Sequence, residues 1–186
     1  MQKKYIYLLT FAYAFSTFAQ GILMPIYAFF VQKIGGGILE TSWAIGLYAI
    51  IRGLGTIAIH KTAMSHKYPR HFLWIGWFLW LMSLAVYFIM QNIITLYISQ
   101  IISGLGEALE EPIFDAEFSK IVAKDPAVGW SIFEGTISIF SGIAAFVGGF
   151  IATWYGFDVL LFCMIGIATI SFLLIAYYTS TAPHID

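Results

Sequence analysis

Charge is scarce in this chain, and so are the residues that build most active sites. Of 186 residues, 10% are charged, one is cysteine, four are histidine and five are proline. A soluble domain carries roughly a quarter charged residues, so the composition argues against a soluble fold. The lone Cys163 excludes an internal disulfide framework and most thiolate metal sites, and its place in an apolar run makes it packing material. The histidines fall at 60, 66, 71 and 184, outside or at the edges of the apolar runs, and a metal site needs them clustered. No metal and no cofactor is expected. A net charge of −1 and the lack of any basic run give nucleic acid nothing to bind.

What the chain has in quantity is apolar length: 60% apolar and 18% aromatic residues, with mean hydropathy +0.86. Six runs hold most of it: Tyr5–Val31, Trp43–Ile59, Phe72–Met90, Ile93–Ile113, Val128–Tyr155 and Val159–Tyr178. Crossing a bilayer core takes about 20 helical residues at about 1.5 Å rise each. The expectation is an all-α integral membrane bundle of six transmembrane helices, one domain over residues 1–186, with the lipid bilayer as its surroundings. Residues 1–19 superficially resemble a cleavable leader, but the apolar run continues through Gly21–Val31 without a polar break.

Orientation follows from the basic residues. With the N-terminus inside, cytoplasmic segments hold Lys3, Lys4, Lys61, Lys67, Arg70, Lys120 and Lys124, against Lys33 on the other side. The expectation is a cell-membrane protein with both termini cytoplasmic. Tyr5, Tyr7, Trp43, Trp130, Trp154, Tyr155, Tyr177 and Tyr178 read as interfacial aromatics. Pro25 should kink the first helix, Gly104, Gly106 and Pro112 should interrupt the fourth, and Asp125-Pro126 should start the fifth.

Three segments carry a family resemblance. Ser65-His66-Lys67-Tyr68-Pro69-Arg70-His71 resembles the cytoplasmic loop motif of the major facilitator superfamily. Lys67 and Arg70 match its basic positions, while His66 stands for its aspartate and Pro69 for its glycine. Gln100-x-x-x-Gly104-x-Gly106-x-Ala108 resembles the fourth-helix motif, with Gln100 in place of arginine, and Trp130–Gly156 resembles the fifth helix. The resemblance implies one six-helix half of a transporter whose two halves are related by an axis along the membrane normal. It further implies alternating-access transport of a small-molecule solute, an inner gating loop at His66, Lys67 and Arg70, and a second copy or another six-helix half as partner.

Small residues recur at helical spacing on two runs: Gly46, Ala49, Gly53 and Thr56 on the second, and Gly135, Ser138, Gly142, Ala145, Gly149 and Ala152 on the fifth. Such stripes let helices approach closely in lipid. By the resemblance, the second helix of one half packs on the fifth helix of the other. A homodimer would make that contact twice. Packing within one six-helix unit is the alternative.

An ionised side chain at the centre of a membrane helix costs about 2.5–3.5 kcal/mol on insertion scales. By helical rise, Arg52 lies about 16 Å and Glu107 about 21 Å below the outer face, and Glu134 about 20 Å from that side. An arginine–glutamate contact at that depth would offset part of the cost, so Arg52, Glu107 and Glu134 are the expected polar centre of a substrate or proton path, with a static ion pair that only locks two helices as the alternative. Gln20 and Gln100 join that path. Glu110, Glu111, Asp115 and Glu117 read as a solvated helix end, set against Lys120 and Lys124.

Enzyme chemistry finds no support. Ser103-Gly104 and Ser141-Gly142 lack the glycine of an intramembrane serine nucleophile motif, and no histidine lies between His71 and His184 to serve as a base. The rival to transport is a non-transporting six-helix fragment that scaffolds or regulates a separately encoded membrane partner.

Overall fold

The computed structural model describes residues 2–61, 68–89 and 92–182, nearly all helical. His66, Lys67, Gln91 and His184 lie outside the described residues. Helix α1 (Gln2–Leu23) gives way to a 3-10 turn at Met24–Ile26 and resumes as α2 (Tyr27–Lys33). The break falls at Pro25, which cannot donate into the ladder. Gly35, at φ +89°, turns the chain towards α3 (Ile38–His60). There the Gly37 amide donates to Glu40 Oε2 at 2.7 Å.

Helix α4 (Pro69–Ile89) opens on a proline, where no amide partner is needed. Asn92 caps α5 (Ile93–Ile121), its Oδ1 accepting from the amides of Ile94 and Thr95 at 3.0 and 3.1 Å. Asp125 caps α6 (Pro126–Trp154) by accepting from Val128 N at 3.3 Å, the start expected from the sequence. Gly156, at φ +82°, leads into α7 (Gly156–Thr181).

Helix α5 corrects one expectation: Gly104, Gly106 and Pro112 do not interrupt it. Pro112 leaves the carbonyl of Ala108, four residues earlier, without its helical donor. His60 Nε2 donates to that carbonyl at 2.9 Å. A neighbouring helix thus satisfies the group the proline orphans, as membrane helices require.

Among the described residues, five helical stretches are long and apolar enough to cross a membrane: Lys4–Lys33, Ile38–His60, Pro69–Phe88, Pro126–Trp154 and Gly156–Thr181. Helix α5, with 29 residues, has the length but carries Glu107, Glu110, Glu111, Asp115 and Glu117. The bundle shields most of these acids. Helices α1, α5, α4 and α7 form its centre, with α3 packed on α5 and α6 packed on α1. Trp77 Nε1 donates to Ser171 Oγ at 2.8 Å, and that hydroxyl donates to the Ala12 carbonyl at 2.7 Å, tying α4, α7 and α1 together in the buried core.

The two flanking helices are different. Only 6% of the apolar window of α3 and 11% of that of α6 is buried, against 44% for the first and third spans. Trp43, Trp154 and Tyr155 stand exposed, as border aromatics should. Tyr178 and Trp130 do not. Tyr178 is fully buried beneath Tyr5 with its hydroxyl on Glu117, and Trp130 packs edge-on against Phe118 with centroids 4.9 Å apart, because the end of α5 gives each a partner.

Candidate functional site

Tyr48 and Arg52 lie one turn apart on α3, and Glu107 and Glu111 one turn apart on α5, so each pair shares a face. The faces meet because α5 carries no side chain at Gly104. A Cβ there would lie 2.9 Å from the Tyr48 carbonyl oxygen. Across this close seam, Arg52 Nε donates to Glu111 Oε2 at 3.0 Å, and the guanidinium NH2 group donates to the same oxygen. Arg52 Nε also lies 3.6 Å from Glu107 Oε2.

Glu107 is held from three sides. The Tyr48 hydroxyl donates to its Oε2, Gln20 Nε2 from α1 donates to its Oε1 at 3.2 Å, and Arg52 supplies the charge. A carboxylate only accepts hydrogen bonds, so an all-donor shell suits it. Its side chain is 14% exposed, enough to face an opening.

That opening is a cavity of about 190 Å³. Gln20, Tyr48, Gln100 and Glu107 supply polar groups to its wall, and Tyr27, Trp80 and Tyr87 supply aromatic faces. Gln100 Nε2 donates to the hydroxyls of Tyr27 and Tyr87 at 2.7 and 3.0 Å, with the two hydroxyls 3.3 Å apart.

The structure therefore brings Arg52, Glu107 and Gln20 together, sets Gln100 in the same cavity, and makes Glu111 the nearer partner of Arg52. Glu134 is not drawn in. It stands exposed on α6 beside Phe133, which packs on Phe114 and Phe118 of α5, and among the described residues no ion pair joins it to Arg52. The reading of the α5 end as solvated also needs correction. Glu110 is buried, its Cβ packed over Gly76, and among the described residues its Oε2 has no hydrogen-bond partner. Glu117 is buried and accepts from the Tyr178 hydroxyl at 2.6 Å. Only Asp115 of the group lies exposed.

Of the expected gating residues, Arg70 is described: its Nη1 donates to the Ala182 carbonyl at 2.7 Å, joining the start of α4 to the end of α7. The small-residue stripes point outward. A Cβ added at Gly46, Gly53, Gly142 or Gly149 would meet nothing within 4 Å, and Ala49 is exposed beside them while Ala145 is half-buried. Packing inside the unit uses other glycines, Gly104 and Gly148 among them. Tyr48 and Glu111 join the cluster without being expected there from the sequence. The spacing of four, Tyr48 to Arg52 and Glu107 to Glu111, is the available signal.

Residues 9–185 match the sequence profile of the Major Facilitator Superfamily. The chain is 27% identical over 138 residues to an uncharacterized MFS-type transporter of Methanocaldococcus jannaschii, covering 73% of this chain and 35% of that protein. It is 24% identical over 144 residues to the uncharacterized MFS-type transporter YitZ of Bacillus subtilis, covering 74% of this chain and 84% of that one. The chain thus spans about a third of the archaeal relative and most of the bacterial one.

Proposed function

Since the chain belongs to the Major Facilitator Superfamily, we propose that it moves a small solute across the cell membrane by alternating access, working as a pair of six-helix units. The observation that carries this reading is the hydrogen-bonded cluster of Arg52, Glu107, Glu111, Tyr48 and Gln20 beside a cavity between membrane-length helices. Ionisable groups inside a membrane mark substrate and ion paths. In this reading the solute binds at the cavity, near the interface of the two units, and the units rock around it. Both termini face the cytoplasm, following the bias of lysine and arginine.

Pairing is supported by the poor burial of α3 and α6 and by their open glycines. Bare glycine faces offer no packing to lipid but allow close contact with another helix. The partner is a second copy or a separately encoded half. Two units inserted the same way need no inversion to assemble.

Native mass spectrometry of the protein in nanodiscs, together with solute uptake into proteoliposomes, tests the reading. A dimer that accumulates solute, and loses uptake with Glu107→Gln, is the expected result. A monomer without uptake would move the chain to the scaffold or regulatory role. If Glu107→Gln left uptake and its pH dependence unchanged, the polar-centre assignment would be wrong.

A further inference from the structure

The cavity wall is uneven in charge. Among its described lining residues there is one carboxylate, Glu107, and no lysine, arginine or histidine. Arg52 is not among the lining residues; its side chain, 38% exposed, directs both of its hydrogen bonds to Glu111 and reaches Glu107 at 3.6 Å. Two carboxylates therefore share one guanidinium, and the one it holds at the longer distance, Glu107, is the one that faces the cavity.

The remaining wall suits a lipophilic body. Tyr27, Tyr48, Trp80 and Tyr87 present rings, and Leu84 and Met164 complete an apolar side. The hydroxyls of Tyr27 and Tyr87 are held by Gln100, and that of Tyr48 by Glu107, so their polar ends have partners within the wall. Aromatic faces attract cations, most strongly where water is excluded. A dry cavity of about 150 Å³ takes one benzene ring, so the 190 Å³ here holds a ring-sized group together with a small charged head.

We propose that this cavity recognises an organic monocation with an apolar or aromatic body, its charged head set against Glu107 and its body against the tyrosine and tryptophan faces. The proposal deepens the transport reading and rests on it for the crossing step, while binding alone can be measured on the protein itself.

The probe is benzyltrimethylammonium, whose charge is independent of pH. Equilibrium dialysis of the radiolabelled cation against the protein in nanodiscs should show saturable binding. Its neutral carbon isostere, neopentylbenzene, and the anion benzenesulfonate should fail to compete. Glu107→Gln should weaken binding about tenfold or more, the scale of losing one charge-assisted contact, and Glu107→Asp should recover part of it. A structural role for Glu107 alone would not separate the cation from its isostere.

Absence of saturable binding, equal competition by the isostere, preference for the anion, or unchanged binding in Glu107→Gln would each overturn the assignment. Uptake of the same three probes into proteoliposomes separates the two readings. Entry of the neutral or anionic probe faster than into empty liposomes, without cation binding, would leave transport standing and remove the cation site. Cation binding with no uptake above that of empty liposomes would leave the site standing and remove transport.

Discussion

Gly106 on α5 and Gly149 on α6 sit in two kinds of helix surface. A Cβ on Gly106 would lie 2.8 Å from the Gly76 carbonyl and 3.0 Å from Trp80 N, whereas a Cβ on Gly149 would meet nothing within 4 Å. The first glycine is consumed by packing inside the unit; the second is left free. The contrast recurs within α6, where Gly148 abuts the backbone of Ile22 and its neighbour Gly149 faces outward. Glycine spacing alone therefore does not tell a core seam from an assembly surface. What separates them is whether a second backbone already occupies the space.

Substitutions at these positions can break or confirm that distinction. The largest effect is expected at Gly148→Ala, where the new methyl must displace backbone of α1; about 3 kcal/mol, the upper end of overpacking costs, should appear as a lowered Tm in detergent. Gly106→Ala should follow at about 2 kcal/mol by the same assay, since the Gly76 carbonyl and Trp80 amide sit in a continuous seam. Next comes His60→Leu, which strips the donor from the Ala108 carbonyl already orphaned by Pro112; about 1–2 kcal/mol of stability should be lost. Smallest for the isolated unit are Gly53→Leu and Gly149→Leu, expected to change monomer stability by less than about 0.5 kcal/mol. In native mass spectrometry those two variants should nevertheless deplete the dimer. A dimer fraction equal to that of the unsubstituted protein would sever the open faces from assembly.

The helices themselves were legible because the property that makes them, apolar length, is local. So were the break at Pro25 and the start at Asp125. The fate of α5 was not, since it depends on partners far away in sequence. His60 rescues the proline turn from 48 residues away, and Tyr178 buries Glu117 from 61 residues away. No window along the chain contains both members of either pair. The polar centre was half legible for the same reason. Depth along the helix brought Arg52 and Glu107 to one level, but helix rotation decides that Glu111 is the closer partner of Arg52.

The Tyr5 hydroxyl donates to the Thr181 carbonyl at 3.1 Å, and Lys4 Nζ donates to the Tyr177 hydroxyl at 3.2 Å, so the first helix starts where the last one finishes. A chain laid out this way can be doubled by reading straight through. A tether running along one membrane surface would join two copies, with no extra crossing and no change in the packing of either. A tandem fusion of two such units is thus a construction the topology already permits, and it would fix the stoichiometry of the pair at one to one.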